Sequence, residues 1–178
     1  APLPAAAAPQ PSEVRTFQDW TVACDNGLTC EAVALLPENR EGDVEWAEWV
    51  TLMLRRGGRA PDAPVLILQG FEGPPPALLA DGRPLPVRFD EHVDGVTVIG
   101  DERMLIETLR SAQVLEVRDA AGGSLGRISL TGASAAMLYM DEKQRRLDTV
   151  TGLPSRFETK PHFDMLPPAR RLWSRRDR

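Results

Sequence analysis

The chain has 178 residues, which suits one domain with tails, and its 42% hydrophobic content is lowered by 16 prolines that gather at residues 1–11, 61–86 and 154–168. Its formal charge is -5 at pH 7, yet the last nine residues, RRLWSRRDR, carry five Arg against one Asp, so the remainder stands at -9. Such an acidic body argues against general binding to nucleic acid or to an anionic membrane, and apolar blocks such as VLIL at 65–68 and AAMLYM at 135–140 fall well short of the ~18 residues a spanning helix needs.

The opening APLPAAAAPQPSE reads as a disordered Ala/Pro-rich lead over residues 1–14, of the kind left after signal-peptide removal. TFQDWTVAC and TCEAVALL then read as two strands. Alternation sets Trp20, Val22 and Cys24 on one face of the first, and Cys30, Ala32 and Ala34 on one face of the second. Asn26-Gly27 between them is a hairpin signal, since both residues tolerate positive φ. A strict two-residue turn there would set Cys24 opposite Thr29. A Cys24–Cys30 disulfide therefore demands a longer loop or a bulge, expected at Gly27 or Leu28. Other fates suit the cysteines less. Zinc needs four ligands and only His92 and His162 offer imidazole, while the spacing is not the C-x-x-C of thioredoxin-like redox sites. As a staple the bridge stabilises the fold by roughly 2–2.5 kcal/mol and requires an oxidising compartment.

PENREGDVEWAEW is polar and turn-rich; VTLMLRR reads as a strand stopping at Gly57-Gly58, and PVLILQGF as a short, fully buried strand. From Gly70 to Pro86, GPPP and DGRPLP supply few donors for a ladder, so an extended loop or edge segment is expected. VRFDEHVDGVTVIG reads as two strands meeting at Asp94-Gly95. DERMLIETLRSA is a short amphipathic helix, with Asp101 at its cap and Met104, Leu105 and Leu109 inward. VLEVRDA and SLGRISL flank a third hairpin turn at Gly122-Gly123. From Ser134 a second helix turns Ala136, Met137 and Met140 inward and ends in DEKQRR. That run reads as a solvated last turn, Arg145 and Arg146 suiting the helix dipole. DTVTGL is expected as a last strand before the Pro-rich, basic extension 154–178. The sum is a single α+β domain over residues 15–153: antiparallel hairpins forming a sheet or small sandwich, with two helices.

Two blocks, FQDWTVACDNGLTCEAVAL at 17–35 and GRISLTGASAAMLYMDEKQRRLDTVTGL at 126–153, together resemble domain-of-unknown-function family 1176, a set of proteobacterial exported proteins. The second block is a strand, a small-residue turn and an Ala-rich helix closing on Asp, Gln and Arg. A fainter echo is of the invasion-associated locus B family, also exported. The resemblance covers residues 17–153 and implies periplasmic residence and a β-rich domain, with no reaction attached. Members of the family are typically longer, with further cysteines, so a truncated member or an N-terminal part is expected.

Known catalytic signatures such as a G-x-S-x-G elbow, a P-loop, H-E-x-x-H or a Rossmann fingerprint are absent from the sequence, and GGSLG at 122–126 reads as a turn between strands. FDEHVD sets Asp90, His92 and Asp94 on one strand face, which suits either a cation site or a solvated face running into a turn. Glu45 and Glu48, flanked by Trp46 and Trp49, suit an acid–base pair beside sugar-stacking rings, or an ordinary partly buried segment. Asp141, Gln144 and Arg145 lie at i, i+3 and i+4. Their shared helix face either ties the helix to the sheet or, with Trp46 and Trp49, presents a partner surface. No cofactor is expected.

These features point to an exported periplasmic protein that binds an unknown protein or envelope component without catalysis. Inhibition of a hydrolase such as a basic lysozyme is one form of that reading. The alternative is a subunit or assembly factor of a membrane complex, not membrane-spanning but in peripheral contact through the basic C-terminus. A second alternative is an envelope glycan or peptide hydrolase using Glu45 and Glu48 or the Asp90–Asp94 cluster.

Overall fold

A computed structural model describes residues 13–36, 49–71, 77–147 and 152–153. In chain order the strands are β1 (Arg15–Phe17), β2 (Trp20–Cys24), β3 (Cys30–Ala34), β4 (Thr51–Arg56), β5 (Val65–Gln69), β6 (Ala77–Ala80), β7 (Arg83–Pro84), β8 (Arg88–His92) and β9 (Gly95–Ile99). Helix α1 (Glu102–Ser111), the hairpin of β10 (Val114–Arg118) and β11 (Ser124–Ser129), and helix α2 (Ala133–Lys143) follow. The fold is α+β. Among the described residues, seven strands pair antiparallel in the order β1-β2-β3-β4-β5-β9-β8, and four more in the order β11-β10-β6-β7.

Alternation decides which face of each strand is buried. Trp20 and Val22 in β2, Cys30, Ala32 and Ala34 in β3, and Leu52 and Leu54 in β4 all enter one core, which Leu115 and Val117 of β10 reach from the smaller sheet. Helix α2 packs across β1, β2 and β3, and α1 packs on α2. A polar seam joins the two sheets. The Trp20 indole donates to the Ser129 carbonyl at 3.0 Å, the Ser129 hydroxyl donates to Asp19 Oδ2 at 2.6 Å, and the Asp19 N–H donates to the Thr131 carbonyl at 3.2 Å. The indole thus stays hydrogen-bonded although its residue is 1% exposed.

The β2–β3 hairpin has the longer loop its cysteines demand. Cys24 stands opposite Cys30 in the ladder, the Asp25 N–H donates to the Thr29 carbonyl at 2.9 Å, and Leu28 takes the left-handed conformation at φ 63. Asp25 also accepts the Thr29 N–H on its side chain at 2.8 Å, so the turn is locally closed. Helix α1 starts as its sequence implies: Asp101 Oδ1 accepts the Met104 N–H at 2.8 Å, satisfying one donor of the first turn. Leu105, Ile106 and Leu109 are its buried residues, and Met104 packs against the core.

Two expectations are corrected. The 70–86 stretch is not merely a loop or edge, because β6 pairs with β10 and lies inside the smaller sheet, with Leu78 and Ala80 buried. Asp81 and Gly82 both have positive φ, 47 and 77, which turns β6 tightly back into β7. The DEKQRR run is not a solvated helical turn either. The helix ends at Lys143, and Asp141, Gln144 and Arg146 are buried. Of DTVTGL only Gly152 and Leu153 are described, and neither is in a strand. Residues 1–12 and 154–178 lie outside the described residues.

Candidate functional site

Three stretches distant in sequence meet at the C-terminal end of α2: the stapled loop at 25–29, the turn after β4, and the chain leaving the helix. Arg56, the last residue of β4, points inward because it alternates with Leu52 and Leu54. Its guanidinium pairs with Asp141 Oδ1, and its Nε donates to Gln144 Oε1 at 2.7 Å. The second Asp141 oxygen accepts the Leu153 N–H at 2.6 Å. Gln144 Nε2 in turn donates to the Leu28 carbonyl at 2.6 Å and to the Arg56 and Gly57 carbonyls, each at 3.1 Å.

Arg146 completes the cluster by donating to the carbonyls of Gly57 at 3.1 Å, Asp62 at 3.3 Å and Arg59. Burial pulls its guanidinium below the ordinary arginine value, and the nearby charge of Arg56 acts in the same direction. Arg56 and Asp141 are 1% and 2% exposed, so the pair is removed from water and each ion is held by the other and by neutral groups. Of the two roles open to Asp141 and Gln144, the structure places them in the tie between helix and sheet. Their burial corrects the expectation of a partner surface at those two positions. Arg145 is different: its φ of 55 takes it off the helical path, and it is exposed.

The other sequence candidates are scattered. Cys24 and Cys30 are joined, with Cα atoms 4.0 Å apart. Asp90 and His92 lie on β8, the edge strand of the larger sheet, and His92 Nδ1 accepts the Asp94 N–H at 3.2 Å across the turn. Among the described residues no three His, Cys, Asp or Glu side chains are placed to hold a metal ion, so Asp90, His92 and Asp94 do not converge. Trp49 is 49% exposed where the chain enters β4, while Glu45, Trp46 and Glu48 lie outside the described residues.

Two features escaped sequence reasoning. Arg56 is a buried partner that only pairing across 85 residues identifies, though its inward position follows from strand alternation. The second is a groove beside α1, of two adjoining cavities of about 170 and 520 Å³ that share Pro64, Glu102 and Ile106. No local signal marks it, because its walls come from the 60–64 loop, the start of β5, β9, α1 and residues 152–153. No helix among the described residues is long and apolar enough to cross a membrane.

Together these features define a class: an antiparallel α+β domain whose disulfide-closed N-terminal hairpin is tied to the end of its second helix. Residues 14–158 match the family described as "Protein of unknown function (DUF1176)", and the chain belongs to that family. It is 28% identical over 150 residues to the uncharacterized protein YpfG of Escherichia coli (strain K12), covering 77% of this chain and 40% of that relative. The chain therefore spans well under half the length of the relative it matches. No solved structure matches it. The fainter likeness to the invasion-associated locus B family is not shown by these matches.

Proposed function

We propose that this protein is exported and acts in the periplasm by binding another protein or an envelope component, without catalysing a reaction. The observation that carries this reading is the Cys24–Cys30 bridge, a bond that persists where the surroundings are oxidising. The fate of the densest charged run supports the second half. Asp141, Gln144 and Arg146 are turned into the fold, where their polar atoms hold backbone and the Arg56 side chain. Residence is tested by trapping thiols with an alkylating reagent in intact cells, followed by osmotic-shock fractionation. The expected result is shock-released protein that takes up reagent only after reduction; free thiols in a cytosolic fraction would end the export reading. Binding is tested by affinity capture from periplasmic extract, with the Cys24→Ser/Cys30→Ser variant as control. A partner retained by the native protein and absent from blank resin supports the reading, whereas retention of none counts against it; the variant shows whether the bridge is needed for that binding.

A further inference from the structure

The groove beside α1 has an apolar floor and an acidic wall. Val65, Ile99 and Leu105 line the smaller cavity, and Val65 is 39% exposed although it begins a strand. Among the described residues, Asp62, Asp101 and Glu102 line the larger cavity together with Arg103; Asp62 also pairs with Arg59, and Asp101 caps α1. Glu102 borders both cavities. Leu153, where the described chain ends, is itself part of the wall.

We propose that this groove is the docking site of the chain's own segment 170–178. In that segment Leu172-Trp173 lies between Arg170-Arg171 and Arg175-Arg176, an apolar pair bracketed by cations. The pair matches the floor around Val65 and Ile99, and the arginines match the wall at Asp101 and Glu102. Reach is ample. Residues 154–169, sixteen in all, lead from the groove wall to the segment and extend to roughly 55 Å. Attachment at that wall also holds the segment at an effective concentration of about millimolar order, so weak contacts suffice to keep it bound. An external ligand of the groove then has to carry the same chemistry, apolar side chains flanked by Lys or Arg, and displace the segment. That last step rests on the binding role proposed above; the docking itself does not.

The test uses the full chain and a variant ending at residue 169, each titrated into a fluorescently labelled RRLWSRRDR peptide and followed by anisotropy. The shortened chain is expected to bind the peptide, and the full chain about tenfold more weakly because its groove is already filled. In the shortened chain Glu102→Lys or Val65→Arg is expected to weaken binding about fivefold. Both positions are exposed, and an unchanged melting temperature shows that the variants fold. The proposal is overturned if the shortened chain does not bind, if both chains bind alike, or if neither substitution matters. It is also overturned if hydrogen exchange in α1 is the same in both chains while residues 170–178 bind phosphatidylglycerol vesicles, since the segment's partner would then be a membrane.

Discussion

Gln144 and Leu28 are 116 residues apart, yet the Gln144 amide donates to the Leu28 carbonyl at 2.6 Å, inside the loop that the disulfide closes. Leu28 is held there in a left-handed backbone conformation that non-glycine residues seldom adopt. The end of α2 therefore fixes the shape of the first hairpin loop. Gly58 closes the same corner from the other side, since a Cβ there would lie 2.2 Å from the Gly27 carbonyl oxygen.

Replacing Gln144 by Ala removes a donor shared by three carbonyls and the acceptor of Arg56 Nε. The expected loss is about 2–3 kcal/mol, the cost of leaving buried polar groups unpaired. Urea unfolding measures it, and faster amide exchange at Thr29 and Cys30 is expected to localise it.

Removing one member of the Arg56–Asp141 pair is costlier than removing both. Asp141→Leu strands a buried guanidinium and is expected to destabilise by about 3–5 kcal/mol. Arg56→Met/Asp141→Leu removes both charges and is expected to cost less than the single change. The Leu153 N–H still loses its acceptor, so a residual penalty of about 1–3 kcal/mol remains. Thermal melts of the two singles and the double complete the cycle.

Cys24→Ala/Cys30→Ala is expected to lower stability by about 2 kcal/mol, since the ring is small and the loop keeps its Asp25 and Gln144 hydrogen bonds. Reduction of the native protein is expected to give the same loss in chemical denaturation.

Gly132 is the N-cap of α2 at φ 98, and a Cβ there would lie 1.9 Å from the Phe17 carbonyl oxygen. Gly132→Ala adds a left-handed strain of about 1–2 kcal/mol to a clash with backbone. A loss above about 2 kcal/mol is expected in a thermal melt, and Gly122→Ala, with open space around its Cβ, is the milder control.

At the surface, Glu13 is held below the ordinary carboxylate range by its hydrogen bond from Arg15 and then by Lys143 at 3.2 Å. A carboxylate with a depressed folded-state value contributes stability present above its unfolded-state value and lost as pH falls through the folded one. The melting temperature of the native protein is thus expected to exceed that of Glu13→Gln near neutral pH. The gap closes on acidification below the normal glutamate range of about 4.

Local chemistry carried much of the fold. Asn26-Gly27, Asp94-Gly95 and Gly122-Gly123 each lie at a connection between paired strands, and Asp101 caps the helix it precedes. The β6–β7 hairpin was obscured by the prolines around it, although Asp81-Gly82 is the same kind of turn signal and takes the positive φ values that signal implies. The site was less legible. A run such as DEKQRR looks solvated because charge normally stays in water, and nothing local shows that Arg56 waits inside to pair with Asp141. The groove belongs to no single segment and becomes visible only when the 60–64 loop stands beside α1.

The seam that binds Trp20 to Ser129 has a consequence in time. A polypeptide that emerges N-terminus first makes its early hairpins long before residue 129 arrives to complete the core around them. Contacts of such separation close slowly, because the intervening chain must be gathered before they yield any gain. During synthesis, therefore, the first hairpins wait with one side of their core open until residue 129 has emerged to close it.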